Sequence, residues 1–171
     1  MDNLLQHLQA ILQTTPARWN ALVQTVPEEL LTRKPAPAEW SALECLQHLV
    51  DVEKWVFPVR VRAFLAGEKV LPAFDPDKQP PSDLSATALA AEYAALRAES
   101  LSLLATVTEA DLARQSRHAE LGDVTLGEML HEWAAHDLAH TVQAEQAMMQ
   151  PFIAGCGAWQ MYFTAHVAKQ S

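Results

Sequence analysis

A chain of 171 residues makes one domain the natural count, and a domain of that size buries roughly 70% of its unfolded surface without a disulfide or metal staple. Half of the residues are apolar, Ala and Leu dominate, and Gly numbers only 5, a mixture that favours helices over sheets. The formal charge of −9 argues against a nucleic-acid backbone or an anionic membrane as main partner, since both need a basic face. No apolar run approaches the ~18–20 residues of a membrane span. Met1 to Gln13 reads as an amphipathic helix with Asp2 near its start, and it lacks the basic region and small-residue cleavage site of a secretion signal. Cys45 and Cys156 give no disulfide framework. A cytoplasmic protein is expected.

The first predicted helix covers Asn3 to Thr25, where Leu4, Leu8, Ile11, Leu12, Trp19, Leu22 and Val23 hold helical spacing. Pro16 should bend it or split it in two. Pro27, Glu28 and Glu29 suit a short helical turn. The second long helix starts at the capping box Ser41-Ala42-Leu43-Glu44 and runs to about Leu65, with a kink at Pro58 and a stop at Gly67. Residues 68–83 contain Pro72, Pro76, Pro80 and Pro81 and should form a long irregular crossover. A third helix spans Ser85 to Thr106, with Leu89, Tyr93, Leu96, Leu101, Leu103 and Leu104 on its buried side. Thr108 to Asp111 is a capped turn, and Arg114 to Asp123 a loop. A second full capping box, Thr125-Leu126-Gly127-Glu128, opens the fourth helix, which ends near Gln150-Pro151. Ala158 to Ala168 gives a shorter fifth helix, and no segment alternates long enough to be a strand. Four long helices and one long crossover indicate an all-α four-helix bundle occupying residues 1–171.

The chemistry is carried by histidines. His136 and His140 lie four residues apart in the fourth helix, so at about 100° per residue their rings stack on one face, a turn apart. Both fall within the apolar stripe of Leu126, Met129, Leu130, Trp133, Ala144, Ala147 and Met148. Two imidazoles presented this way can chelate one divalent ion, with a third ligand from elsewhere. His48 is the best candidate, because Cys45, Val52, Trp55 and Val59 align with it on an inward face of the second helix. A single core histidine is more often a satisfied packing residue than a ligand, whereas a stacked pair is hard to satisfy without an ion. His131, His118, His7 and His166 read as surface or second-layer residues. Cys45 is a core filler by default and a fourth ligand by exception. Glu132 lies one turn before His136, and Glu44 and Asp51 lie one turn either side of His48. They are the candidates for orienting those rings unless they simply face water or cap helices, as the capping box already explains for Glu44. Trp40, Trp55, Trp133 and Tyr93 could wall a pocket or simply fill the core.

Two segments carry a family resemblance. They are Glu39-Trp40-Ser41-Ala42-Leu43-Glu44-Cys45-Leu46-Gln47-His48-Leu49 and His131-Glu132-Trp133-Ala134-Ala135-His136-Asp137-Leu138-Ala139-His140-Thr141-Val142-Gln143. A Trp-Ser helix start with a histidine seven residues after the Ser, followed much later by His-Asp-x-x-His and Gln, resembles the DinB-like (YfiT-type) family of bacterial metal-binding four-helix bundles. The resemblance implies an up-down bundle with its long crossover between helices two and three. It also implies a divalent ion, zinc or nickel, held by His48, His136 and His140 with water completing the sphere. Related members are similar to bacillithiol- or mycothiol-dependent S-transferases, others resemble metal-dependent hydrolases, and such proteins often pair as homodimers.

Two classes of function follow. The first is a metal-dependent enzyme acting on a small molecule, with a thiol S-transferase using a low-molecular-weight thiol favoured over a hydrolase. In either, the ion lowers the pKa of a bound water or thiol. The second is a non-enzymatic, stress-related metal-binding protein in which the ion is structural. No general base can be assigned, so the catalytic residues are unknown, and the substrate is not written in the sequence.

Overall fold

The first helix begins where the Asn3 side chain accepts the Gln6 N–H at 3.3 Å, and it continues unbroken as α1, Leu4–Thr25. The computed structural model describes residues 3–75 and 82–168, so Asp2 and the crossover prolines Pro76, Pro80 and Pro81 lie outside the described residues. Pro16 does not split α1. It removes the N–H that would have bonded the Leu12 carbonyl four residues back. That carbonyl instead accepts from Arg97 Nη1 at 3.0 Å.

After the short α2, Glu28–Thr32, the chain enters α3, Ala42–Trp55, through the expected capping box. The Ser41 N–H donates to Glu44 Oε2 at 2.8 Å and the Glu44 N–H to Ser41 Oγ at 3.2 Å. The second predicted helix is in fact two. Val56 leaves helical geometry (φ −117, ψ −81), and α4, Phe57–Ala66, begins at once with Pro58 in its first turn. Proline has no N–H to return to Lys54, and the first turn of a helix is where that donor is not needed. Gly67 closes α4 in the left-handed region (φ 74), as its position suggested.

Ser85 caps α5, Ala86–Leu104, by accepting the Ala88 N–H at 3.2 Å. A 3-10 turn, Glu109–Ala113, follows with the Thr108/Asp111 capping box. The stretch read as a loop then forms a small antiparallel hairpin, β1 (Gln115–His118) and β2 (Gly122–Thr125), with Gln115 opposite Thr125 and His118 opposite Gly122. Four-residue strands are too short for an alternating pattern to register. The second capping box opens α6, Leu126–Gly155. This helix runs through Pro151 instead of stopping there, because buried Ile153 gives it apolar surface to cover beyond the proline. The last segment, Gly157–His166, is a 3-10 helix rather than an α-helix and has no buried residue. Gln150 ties it back, donating to the His166 carbonyl at 2.8 Å and accepting the Ala168 N–H at 2.9 Å.

The four long helices make the expected bundle. Both α1 and α3 pack against α5 and α6, so α1 and α3, consecutive among the long helices, stand across the bundle from each other. Two apolar clusters fill it. One gathers Leu8, Leu12, Phe57, Phe64, Leu104, Leu126, Leu130 and Trp133, and the other Trp19, Val23, Leu46, Leu49, Leu89, Tyr93 and Ala144. On α5 and α6 the interval between the clusters holds Arg97, Ser100, Asp137 and Thr141, all buried. No helix among the described residues is long and apolar enough to cross a membrane.

Candidate metal centre

The sequence places His48 two turns into α3 and the other two imidazoles halfway along α6, and the packing of α3 on α6 brings all three together. Ring centroids lie 5.1 Å apart for His48 and His136, 4.6 Å for His48 and His140, and 4.4 Å for His136 and His140. One nitrogen from each ring can be chosen so that all three lie within 4.8 Å of one another. Nε2 of His48 and Nε2 of His136 are 3.1 Å apart. A tetrahedral zinc site with bonds near 2.05 Å spaces its nitrogens by about 3.3 Å, so this separation matches. Among the described residues it is the one histidine, cysteine or carboxylate cluster with such convergence.

The surroundings keep these rings neutral. Burial pushes His48 down to about 3, with the charges of His140 and His136 adding to the effect. Burial likewise pushes His136 down to about 4, aided by His140, while Asp137 opposes the shift. His140 is lowered by the same desolvation, partly offset by its bond to Gln143. Neutral imidazole is the metal-binding form. Gln143 Oε1 lies 2.9 Å from His140 Nδ1, which holds the proton there and leaves the Nε2 lone pair free. His136 Nδ1 is buried with no hydrogen-bond partner among the described residues. Two neutral nitrogens facing each other at 3.1 Å can share only one proton, and a cation satisfies both lone pairs at once. These donors therefore fit a divalent ion.

Aromatic rings wall the centre. Trp40 stacks on His140 at 5.6 Å and 22° and meets His48 at 5.0 Å. Phe57 meets His136 in a T-shaped contact at 5.3 Å and stacks on Trp133 at 4.9 Å. Of the other aromatics considered for a pocket, Trp55, the last residue of α3, is 56% exposed. Trp133 and Tyr93 are core residues.

Cys45 does not join the converging atoms. It is fully buried, and desolvation pushes its thiol up to about 12, the behaviour of a packing residue. None of the three carboxylates considered for orienting the histidines does so. Glu44 is committed to its cap and to Lys34 at 2.7 Å, and Asp51 accepts from Gln47 at 3.0 Å. Glu132 faces Arg60 and His118 electrostatically rather than His136. His131 is on the surface, as are His7 and His166, and His118 ends β1.

What the sequence reading missed is a buried ionic cluster beside the centre. Arg97 bonds Glu53, donates from Nη2 to Asp137 Oδ1 at 2.7 Å and to Tyr93 OH at 2.6 Å, and reaches Leu12 with Nη1. Tyr93 OH donates to Asp137 Oδ1 at 2.7 Å, and Ser100 donates to Glu53 Oε2 at 2.8 Å. Burial alone would depress Arg97, but Tyr93, Glu53 and Asp137 outweigh it and hold the guanidinium charged. A signal existed: Leu89, Tyr93, Arg97, Ser100 and Leu104 follow one buried helical stripe, which placed a charge in the core.

A four-helix bundle with three inward imidazoles on two facing helices, placed so that they could hold a metal ion, is the class that fold and site define. The DinB superfamily profile matches residues 11–144, and the chain belongs to that superfamily. YfiT from Bacillus subtilis, described as a probable metal-dependent hydrolase with an unusual four-helix bundle topology, superposes with a TM-score of 0.75 at 17% identity, over 86% of this chain and 87% of its own. The DinB-like protein YjoA from Bacillus subtilis superposes with a TM-score of 0.56 at 18% identity, over 83% and 90%. No curated protein matches the sequence.

Proposed function

We propose that this protein is a metal-dependent enzyme of the hydrolytic class, with one divalent ion, zinc or nickel, held by His48, His136 and His140. The observation that carries the reading is the convergence of three neutral imidazoles, with Cys45 apart from them, which leaves the set one ligand short of a closed tetrahedron. Structural zinc sites fill all four positions with protein ligands, whereas reactive ones keep one open. When bound, such an ion supplies Lewis acidity and acidifies water at neutral pH. The chain's own part is to keep the nitrogens unprotonated, to fix the His140 tautomer through Gln143, and to exclude water with Trp40 and Phe57. Hydrolysis leads because it is the activity ascribed to YfiT, whose fold this chain shares. The thiol S-transferase expected from the sequence draws on the same centre and is the second arm of the test.

Protein loaded separately with zinc and nickel should be assayed on a panel of esters and amides, and on a thiol with monochlorobimane. Turnover of an ester or amide that disappears in His48→Ala supports the hydrolase. Turnover of thiol and bimane alone transfers the assignment to the S-transferase. Failure of the wild-type protein to retain either metal through gel filtration would refute the metal centre itself.

A further inference from the structure

One helical turn from the centre, between α4, the hairpin and the start of α6, lies a cavity of about 180 Å³. Its walls are mostly apolar, from Leu71, Leu121, Val124 and Met129. Arg60 and Glu132 also line it. They feel each other's charge but are not in ion-pair contact among the described residues. Arg60 Nε is buried with no hydrogen-bond partner among those residues. The buried Arg60 Nε therefore lacks a partner, and the exposed Glu132 offers its carboxylate at the cavity with no ion pair to Arg60 among the described residues.

The remaining polar residues of the cavity do not supply those partners. Glu128 is occupied by the α6 cap, its Oε2 accepting from the Thr125 N–H at 2.7 Å and from the Thr125 hydroxyl at 2.8 Å. His118 Nδ1 accepts the N–H groups of Glu120 and Leu121 at 3.3 and 3.4 Å, so a neutral ring carries its proton on Nε2 and adds a donor beside Arg60. We propose that the cavity between Arg60 and Glu132 binds a small zwitterion, an amino acid with an aliphatic side chain or the equivalent end of a short peptide. Arg60 and His118 take the carboxylate, Glu132 takes the ammonium, and Leu71, Val124 and Met129 receive the side chain. Burial depresses Arg60, as for a cation short of solvation before a complementary anion arrives. The more exposed Glu132 is raised by desolvation against the opposing pull of Arg60 and His118. The site sits next to the histidine centre: Arg60 is one turn after Phe57, which touches His136, and Glu132 is one turn before His136. The assignment stands on the cavity and does not require a bound metal.

The test is calorimetric titration of the whole protein with leucine, 4-methylpentanoate (which lacks the ammonium) and 3-methylbutylamine (which lacks the carboxylate). Leucine should bind, and each analogue should bind at least about tenfold more weakly, a difference of 1.4 kcal/mol. Arg60→Gln should weaken leucine by a similar factor and abolish its advantage over 3-methylbutylamine. Glu132→Gln should do the same relative to 4-methylpentanoate. Equal affinity for all three compounds, or no binding of leucine by folded protein at about 1 mM, overturns the proposal. Leucine binding should survive His48→Ala, which disables the centre and leaves the cavity intact. Its loss there would move the ligand to the histidines and also overturn the assignment. Failure of metal retention with leucine binding preserved would count against the hydrolase alone.

Discussion

A half-buried imidazole that resists protonation links the centre to acid stability. His48 and His136 titrate near 3 and 4 in the folded chain, against about 6.5 when exposed. Between those values the unfolded chain binds more protons, so folding weakens as pH falls. Metal-free protein should therefore lose stability from about pH 6.5 downward, and urea midpoints at pH 7 and pH 5 should differ less in His48→Gln than in the wild type. A midpoint that rises on acidification in the wild type alone would contradict the assignment. These histidines were legible because each sits inside an apolar stripe with helical spacing. Gln143 and Arg97 were not read as partners. The first is polar on a face that looks solvated, and the second gains its role only when α5 packs on α1, α3 and α6. Trp55 failed for a related reason, since spacing alone does not reveal that its helix ends there.

At the scale of elements, α6 uses two faces at the same level. His136 and His140 look toward His48, while Asp137 and Thr141 are buried, and Arg97 and Tyr93 grip the Asp137 carboxylate. Because Asp137 is one residue, about 100° of rotation, from His136, that grip fixes how α6 is turned and hence where the imidazoles point. Arg97→Met leaves Glu53 and Asp137 without their countercharge, and the expected loss is about 3–5 kcal/mol in urea unfolding. An Arg97→Met variant as stable as the wild type would show the carboxylates to be protonated or solvated instead. Ser41→Ala removes the α3 cap and should cost about 1 kcal/mol in thermal or urea melts while leaving zinc affinity unchanged, since His48 lies two turns inside the helix. The capped starts of α3 and α6 were readable from four residues each. The α3–α4 break was not, because Pro58 is compatible with a kink as well as with a new first turn.

Across the whole molecule, the histidines join α3 to α6, one of the main contacts of the bundle. A ligand that binds only the folded form adds stability by mass action, about 2.7 kcal/mol at a hundredfold excess over its dissociation constant. Zinc should accordingly raise the melting temperature of the wild type, and a chelator should reverse the shift. In His136→Ala neither should move it, and that variant without metal should melt close to the metal-free wild type. The count and approximate limits of the long helices came from periodicity and caps. Which helix neighbours which did not, since periodicity marks a buried face without naming what covers it. Placing α1 across from α3 depends on side chains that meet only in the assembled bundle.

The proline in the first helix has a reach beyond its own turn. With no amide hydrogen at Pro16, one peptide oxygen of α1 is left available, and the guanidinium that also grips α6 claims it. A helix that donates no imidazole is thereby latched to the one that donates two. Replacing Pro16 with alanine would let the backbone reclaim its oxygen, and the first sign of that trade should surface some distance away, as a slacker hold on the cation.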